Sequence, residues 1–592
     1  MAKKFIDVMD TTFRDGFQSV YGGRVLMNDF FPAVEAAKTA GINHFEFGGG
    51  ARFQSLYFYL KEDAFEMMDK FREIVGPDAN LQTLARGVNT VMLDTGSKEL
   101  IDLHAKLFKK HGTTTIRNFD ALNDVENLKY SGERISHHGL KHEVVVTMMD
   151  LPPGCHGAHD VAFYEKTLRE ILDSGIPYDS ICFKDASGTS SPQKVFETIK
   201  MARGLVPEDT HLRLHTHETA GVSVSAYMAA LEAGIDGIDM AAAPVSGGTS
   251  QPDILTMLHA TKGMDFDLGG LEIEKVLTYE KELQSCLSDY FMPPEATMVS
   301  PVIPFSPMPG GALTANTQMM RDNDILEKFP DVIAAMTEVV EKGGYGTSVT
   351  PVSQFYFQQA LNNVMQGPWK AIAPGYGKMV LGYFGKTPVA PDPEIVKIAS
   401  EKLGLEPTTE KALDLANADE AKSLQTWINK LKEEEIEITE ENIFIAAACQ
   451  EKGIAYLKGE SELNVRKISQ MKEDCKGSEE MSGNYTVVVD GQKFSVQVAE
   501  GNADIQVTAV NGESAAPVVS GEGDDIKALV PGNVWKIIMN PGQSVNEGDV
   551  IMILESMKME IDVIATRGGV IKSINVATND KVVEGQVVAV IG

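Results

Sequence analysis

The chain has 592 residues, of which 43% are hydrophobic, and a formal net charge of −31. This length predicts about three to five domains, or fewer if one is a barrel. The acidic balance argues against a nucleic-acid-binding role because a duplex requires a basic protein surface. The five cysteines have no CxxC spacing, which excludes a disulfide framework and indicates a reduced, cytoplasmic protein. With no apolar signal segment and no run of about 18 apolar residues, we expect neither secretion nor a transmembrane helix.

Short apolar or alternating runs recur at regular intervals through the first part of the chain. They are 5-FIDVM, 44-HFEF, 81-LQTLA, 114-TTIRNF, 143-EVVVTMM, 180-SICF, 212-LRLH and 235-IDGIDM. Segments with helical periodicity lie between them, such as 164-YEKTLREILDSG and 223-SVSAYMAALEAG, and each of these ends at a glycine. Eight strands that alternate with helices predict an α/β fold, a closed (β/α)8 TIM barrel over residues 1–275. An open doubly wound sheet is the alternative, although no GxGxxG follows the first strand.

Polar clusters follow four of these predicted strands, namely 10-DTTFRDG-16, Arg86, 184-KDASG-188 and 215-HTHETAG-221. Barrel enzymes collect their chemistry at the carboxyl ends of the strands, so we expect one site on this rim. His215 and His217 stand at i and i+2 of a strand and point to one side, and neutral imidazole commonly binds transition metals. A carboxylate from Asp15 would suit zinc, manganese or iron better than calcium. A pair of structural histidines is the alternative.

Residues 276–475 show mainly helical patterns, as in 352-VSQFYFQQALNNVMQG. We interpret this region as a helical domain that completes the site.

Between 476 and 524 the pattern changes again. The run 485-YTVVVDGQKFSVQV-498 alternates on both sides of Asp490-Gly491 and predicts a β-hairpin. The small, acidic stretch 511-NGESAAPVVSGEGDD-525 predicts a flexible linker.

The C-terminal region, residues 525–592, contains an internal repeat. The run 534-VWKIIMNPGQSVNEGDVIMIL is similar to 570-VIKSINVATNDKVVEGQVVAVI, and both contain V-x-K-x-I, a polar turn and V-x-E-G-x-V. Two copies of one strand set predict a pseudo-symmetric, all-β sandwich. The segment 555-ESMKME-560 joins the copies, so we expect Lys558 to project from a turn.

This C-terminal unit resembles the biotin carboxyl carrier domain, in which biotin is amide-linked to the lysine of a Met-Lys-Met hairpin. The resemblance implies that Lys558 carries biotin, attached by a biotin protein ligase. Ser556 stands where many carriers have alanine. The lipoyl domain shares the sandwich but usually has Asp-Lys-Ala at the tip, so Met557 and Met559 favour biotin.

The remainder of the chain resembles the carboxyltransferase component of pyruvate carboxylase, of the oxaloacetate decarboxylase α subunit and of transcarboxylase. The arrangement is most similar to that of two-component pyruvate carboxylases, in the component that lacks an ATP-using domain. The matching motifs occur in the family's order: 10-DTTFRDGFQS, 81-LQTLARGVN, 117-RNFDALND, 182-CFKDASG, 213-RLHTHETAG, 245-VSGGTSQP, 308-MPGGALTAN and 349-VTPVSQ. One motif departs, because the family usually has GGATFD where this chain has 48-GGGARFQ-54. Arg52 replaces the threonine and Gln54 the aspartate, which leaves the acceptor preference open.

The resemblance also implies roles for individual residues. A divalent metal, zinc or alternatively manganese, would be bound by Asp15, His215, His217 and Lys184, the lysine as a carbamate. A simple ion pair of Lys184 with Asp185 is the alternative. The substrate carboxylate would be held by Arg86 and Gln18, with support from Arg14, and the hydroxyl of Thr350 would relay a proton between pyruvate and biotin.

The function that follows from the resemblance is that of the carboxyltransferase subunit of a two-component, biotin-dependent pyruvate carboxylase, which forms oxaloacetate for anaplerosis and gluconeogenesis. No convincing nucleotide loop occurs, so a separate biotin carboxylase subunit would use ATP and bicarbonate. The family also implies a homo-oligomer. The alternatives are the α subunit of a sodium-pumping oxaloacetate decarboxylase with membrane partners, a carboxylase of another 2-oxo acid such as 2-oxoglutarate, and an inactive biotinylated scaffold.

Overall fold

The computed structural model describes residues 3–471, 483–489, 492–498, 524–528, 531–556, 559–578, 580–583 and 585–592. The chain forms two compact units, one from Met1–Ser288 with Met292–Val465 and the other from Asp289–Phe291 with Arg466–Gly592. In the described part of the chain, every helix is too short or too polar to cross a lipid bilayer.

A closed barrel of eight parallel strands forms the centre of the first unit, within residues 3–288. The strands are β1 Lys4–Asp10, β2 His44–Gly49, β3 Asn80–Ala85, β4 Thr115–Asn118, β5 Lys141–Thr147, β6 Ser180–Asp185, β7 His211–Thr216 and β8 Gly237–Met240. Each strand pairs with the next, and β1 pairs with both β2 and β8, which closes the barrel. A short strand β9, Phe266–Leu268, extends the sheet beside the start of β1. The predicted TIM barrel is therefore confirmed, and the open sheet is wrong.

Helices follow or precede these strands throughout the barrel. They are α1 Phe17–Tyr21, α2 Met27–Thr39, α3 Gly50–Ser55, α4 Ala64–Val75, α5 Lys98–Lys110, α6 Glu126–His137, α7 Val161–Asp173, α8 Pro192–Leu205, α9 Ser223–Ala233, α10 Ile254–Ala260 and α11 Ile273–Cys286. Local sequence explains their ends. Asp160 accepts a hydrogen bond from the Phe163 amide at the start of α7, and Gly234 ends α9 in the left-handed region at φ 101°.

The region after the barrel is mainly helical, as the sequence predicts. Its helices are α12 Gly310–Asp322, α13 Phe329–Lys342, α14 Val352–Gln366, α15 Pro374–Val380, α16 Pro393–Leu403, α17 Ala412–Ala418, α18 Leu424–Glu433 and α19 Glu440–Leu457. Helix α19 has a kink at Gln450, where φ is 52°. The Phe444 ring of α19 lies 5.5 Å from the Phe53 ring and 6.1 Å from the Phe108 ring. Aromatic burial of this kind attaches the helical region to the barrel.

A β-hairpin lies where the alternating pattern predicts it. Strand β10, Gly483–Val489, pairs antiparallel with β11, Gln492–Val498, and the predicted Asp490-Gly491 turn falls outside the described residues. The predicted linker also falls outside them, apart from its last two positions. Asp524 and Asp525 belong to a strand that pairs with Ile591 and Val590, so the linker prediction is wrong there: these two residues contribute backbone hydrogen bonds to a sheet.

The described parts of residues 524–592 form two four-stranded antiparallel sheets. Their strands are β12 Asp524–Lys527, β13 Gly532–Ile537, β14 Ser544–Val545, β15 Val550–Ser556, β16 Met559–Ile564, β17 Gly569–Ile574, β18 Lys581–Val582 and β19 Val587–Ile591. One sheet has the order β12-β19-β17-β14 and the other β16-β15-β13-β18. The first repeat forms β13, β14 and β15, and the second forms the corresponding strands β17, β18 and β19. The short middle strand of each repeat, β14 or β18, joins the sheet that contains the two longer strands of the other repeat. This confirms the predicted all-β, pseudo-symmetric domain.

The stability of this small domain depends on one buried core. Leu554 is fully buried in it, whereas Ile538 is 40% exposed. We expect Leu554→Ala to lower the free energy of unfolding of the domain by about 2–5 kcal/mol through lost burial and a cavity. Ile538→Ala is the matched control and should cost far less. Scanning calorimetry of the full chain checks this, and equal shifts for the two variants would contradict the packing described.

Candidate active site

Three chain segments bring the predicted polar residues to the carboxyl end of the barrel. A π-helical turn, Thr12–Gly16, directly follows β1 and contains Arg14 and Asp15. Lys184 is the next-to-last residue of β6, and His215 is the next-to-last residue of β7. Because the carboxyl ends of parallel strands meet on one rim, residues far apart in sequence become neighbours here.

Asp15, His215 and His217 form a compact buried cluster. Asp15 Oδ2 lies 3.2 Å from His215 Nε2 and 3.3 Å from His217 Nε2, and the two Nε2 atoms are 3.1 Å apart. Burial, with the nearby Lys184 charge, lowers the pKa of His215 and so favours the neutral imidazole that binds metals. Burial tends to raise the pKa of Asp15, but the Arg14 guanidinium and the hydrogen bonds to the histidines hold it well below its usual range. Two imidazoles and one ionised carboxylate, with ligand atoms all within 4.8 Å of one another, fit a divalent metal.

Each histidine is oriented by an oxygen acceptor that lies within hydrogen-bond distance of its Nδ1. His217 Nδ1 lies 2.7 Å from the Thr249 carbonyl oxygen, and His215 Nδ1 lies 2.8 Å from Asp239 Oδ2. A hydrogen at each Nδ1 leaves the lone pair of each Nε2 directed into the cluster. The pattern matches that of metal-binding histidines in general.

Lys184 lies beside this cluster. Its Nζ is 3.9 Å from Asp15 Oδ2, is buried, and has no hydrogen-bond partner among the described residues. Burial lowers the pKa of the Lys184 amine despite the Asp15 charge, and the Arg117 and Arg14 cations act in the same direction as burial. Asp185, the alternative partner, instead accepts hydrogen bonds from Ser187, Gly188 and Ser190. The amine is therefore placed for chemistry at the cluster and is not engaged in an ion pair with Asp185.

These groups open into one cavity at the carboxyl end of the barrel. Of the predicted site residues, its lining includes Arg14, Asp15, Gln18, Arg86, Lys184, His217 and Thr350. His215 lies behind them in contact with Asp15, and Lys558 falls outside the described residues. The barrel and the helical region both contribute to the wall, since Pro309, Gly311 and Thr350 belong to the latter.

The cationic side of the cavity is built by two arginines. Arg14 Nη2 lies 2.7 Å from Glu46 Oε1, and Arg14 Nη1 donates to Gln18 Oε1 at 3.3 Å. Arg86 Nη1 donates to the Val91 and Met92 carbonyls at 2.6 and 3.1 Å. Burial and the Arg14 charge lower the pKa of Arg86 to about 9, so it remains a cation at neutral pH. A buried cation facing a cavity suits a carboxylate ligand.

Some site residues escaped the sequence reasoning. Gln251 Nε2 lies 3.1 Å from Asp15 Oδ2 and 3.0 Å from His217 Nε2, and the Thr249 carbonyl orients His217. Both belong to the motif 245-VSGGTSQP, which marks their location without revealing their contacts. Asp239 had a weaker signal, as an acidic residue inside an apolar strand.

The two departures from the family pattern make structural contacts. Arg52 is fully buried and donates to the Gly23 and Val25 carbonyls, the second at 2.8 Å. Gln54 Nε2 donates to the Ala448 carbonyl of α19 at 2.9 Å. Arg52 thus holds the loop between α1 and α2, and Gln54 connects the barrel to the helical region.

Comparison with known proteins shows what this chain is similar to. Residues 303–498 match the conserved carboxylase domain, and residues 522–591 match the domain of biotin-requiring enzymes. A pyruvate carboxylase subunit of Methanocaldococcus jannaschii is 28% identical over 568 residues, which cover 94% of each chain. The chain is thus similar to biotin-dependent carboxyltransferases along most of its length.

Two further proteins are similar to this chain over most of its length. The 2-oxoglutarate carboxylase large subunit of Hydrogenobacter thermophilus is 26% identical over 618 residues, covering 95% of this chain and 91% of the relative. The carboxyl transferase domain of Rhizobium etli pyruvate carboxylase has the same fold, with a TM-score of 0.70 at 22% identity over 83% of this chain and 84% of that one.

Gly310 allows the helical region to approach the site. A Cβ atom at this position would lie 1.6 Å from the Thr249 carbonyl oxygen and 3.0 Å from His217 Nδ1. We expect Gly310→Ala to displace this carbonyl and to lower the free energy of unfolding by about 1–3 kcal/mol. Gly204→Ala in α8, where a Cβ atom meets open space, is the control and should be neutral or stabilising. Denaturant titration checks both, and a Gly310→Ala protein of wild-type stability would contradict the close approach.

Proposed function

We propose that this chain is the carboxyltransferase subunit of a two-component pyruvate carboxylase, which moves a carboxyl group from carboxybiotin to pyruvate and forms oxaloacetate. The observation that carries the proposal is the single cavity faced by the Asp15–His217 cluster, Lys184, Arg86 and Thr350. The match to the pyruvate carboxylase subunit of Methanocaldococcus jannaschii along 94% of the chain supports the same assignment. In the cell, the product would serve anaplerosis and gluconeogenesis.

The metal site would be completed by a modified lysine. In its neutral form, which the lowered pKa makes more accessible, the Lys184 amine would add to CO2, lose a proton and provide a carbamate oxygen beside Asp15, His215 and His217. Zinc suits this donor set, and manganese is the alternative. The bound ion would supply Lewis-acid polarisation of the substrate keto group.

The other side chains would bind the substrate and move its proton. Arg86 and Gln18 would hold the pyruvate carboxylate, since Arg86 remains charged and Arg14 orients the Gln18 amide through its Oε1. The Thr350 hydroxyl would relay the proton released by the pyruvate methyl group, accepting it at Oγ1 while passing its own hydrogen to biotin. Apolar residues of the cavity wall, including Leu84, Phe119 and Val349, would exclude water and strengthen these electrostatic interactions.

The C-terminal domain would deliver the carboxyl group. Biotin on Lys558, attached by a biotin protein ligase, would be loaded by a separate biotin carboxylase subunit that uses ATP and bicarbonate. Tethering to the same chain gives the carrier a high effective concentration at the cavity. We further propose a cytoplasmic homo-oligomer, in keeping with the family resemblance.

A second acceptor is supported by one observation, the match along 95% of the chain to a 2-oxoglutarate carboxylase large subunit. We expect the biotinylated chain, mixed with a biotin carboxylase subunit, ATP and bicarbonate, to carboxylate pyruvate at least 10-fold faster than 2-oxoglutarate. Product analysis by mass spectrometry measures both rates. The reverse preference would assign the chain to 2-oxoglutarate, and oxaloacetate decarboxylation without forward turnover would assign it to the decarboxylase class.

The proposed role of Thr350 can be isolated with two substitutions. Thr350→Ala removes the hydroxyl and should lower kcat for carboxyl transfer by about 10²–10⁴-fold, which is typical for loss of a proton-transfer group. Thr350→Ser keeps the hydroxyl and should retain most of the activity. Biotin content and thermal stability are measured in parallel, and a Thr350→Ala enzyme with wild-type kcat would rule the role out.

A further inference from the structure

Beneath the site, the barrel interior contains a cluster of charged side chains. Each member is no more than 2% exposed. The members are Glu46 on β2, Arg117 on β4, Glu143 on β5, Arg213 on β7 and Asp239 on β8. TIM-barrel interiors are usually filled with apolar side chains. Buried charges are costly even when paired, so the position of each one relative to the site is informative.

Asp239 is the member of this cluster that contacts a metal-site histidine through a carboxylate. Its Oδ2 lies 2.8 Å from His215 Nδ1 and 2.5 Å from Arg117 Nη1, and its Oδ1 lies 3.1 Å from Arg213 Nη1. Two arginines thus fix the carboxylate in place. Since an ionised carboxylate only accepts hydrogen bonds, it holds the hydrogen of His215 on Nδ1 and directs the Nε2 lone pair toward Asp15 and His217.

Glu143 provides an internal comparison. It is equally buried and pairs with the same two arginines, at 2.5 Å to Arg117 Nε and 3.4 Å to Arg213 Nε. Its other side-chain contacts among the described residues are with Gln82 and Ser180, and not with a site histidine. Asp239 and Glu143 therefore share the ion cluster and differ in their contact with His215.

We propose that Asp239 is a positioning residue that sets the metal affinity of the site by fixing the tautomer and ring orientation of His215. The inference rests on the metal site of the proposed function. By accepting the hydrogen bond from Nδ1, the Asp239 carboxylate raises the basicity of the His215 imidazole. Loss of such a hydrogen-bond acceptor behind a metal-binding histidine typically weakens metal affinity by about 10–100-fold.

The test measures zinc binding without turnover. Full-length wild type, Asp239→Asn and Glu143→Gln are titrated with zinc in bicarbonate buffer against a chromogenic chelator, and the melting temperature of each metal-free protein is recorded. We expect Asp239→Asn to bind zinc about 10–100-fold more weakly and Glu143→Gln to stay within about threefold of wild type, whatever its melting temperature. Wild-type affinity in Asp239→Asn, or an equal loss in Glu143→Gln, would overturn the inference.

A second measurement uses the wild type alone and covers the case in which Asp239→Asn does not fold. In a crystal structure of the zinc-loaded chain, His215 should bind zinc through Nε2 and keep Nδ1 within hydrogen-bond distance of Asp239. Coordination through Nδ1, or an Asp239 turned away, would overturn the inference. Zinc binding as expected with no carboxylation of pyruvate would refute the proposed function and leave the role of Asp239 intact, whereas a wild type that binds no zinc would refute the metal site and the inference together.

Discussion

The pairing of β1 with β8 and β2 is the constraint on which the site depends. Asp10 at the end of β1 is in register with Met240 of β8 and Phe45 of β2, so the chain leaves β1 at a fixed point on the rim. Thr11 extends this attachment, because its hydroxyl donates to Gln251 Oε1 at 2.7 Å. Asp15 then meets two histidines that lie 200 or more positions later in the chain. A one-residue slip of β1 would turn its side chains to the opposite face and separate the carboxylate from both imidazoles.

The electrostatics of the site follow from burial as much as from charge. The same dry environment that lowers the pKa of Lys184 and of His215 leaves Asp15 ionised, because Arg14 lies 3.2 Å from its Oδ2. Arg14 is in turn balanced by Glu46. The rim thus holds anionic, neutral and cationic groups within a few ångströms, an arrangement that water would screen. The cavity wall contributed by the helical region is therefore part of the electrostatic design.

Much of the fold could be predicted from periodicity. The eight barrel strands and the hairpin at 483–498 follow from alternating or apolar runs, because their patterns report which face is buried. The residues on the rim could be predicted from motifs, as with His215 and His217. The features that could not be predicted depend on contacts between residues distant in sequence. They are the hydrogen bonds of Gln251 to Asp15 and His217, the charged cluster in the barrel interior, and the hydrogen bonds of buried Arg52 to backbone carbonyls. The linker prediction for Asp524 and Asp525 was wrong for a related reason. Their acidic composition suggested a linker, whereas backbone pairing with β19, which is distant in sequence, places them in a strand.

The exchange of β14 and β18 between the two C-terminal sheets has an evolutionary consequence. Each sheet contains a short strand that comes from the other repeat. A single repeat would therefore lack one strand and expose an unpaired sheet edge. An ancestral chain with one copy could have completed its sheets by associating with a second copy about a two-fold axis. The present domain has the form of such a dimer fused into one polypeptide. Fusion also provides the connection between the two halves, and the ESMKME segment lies in that connection.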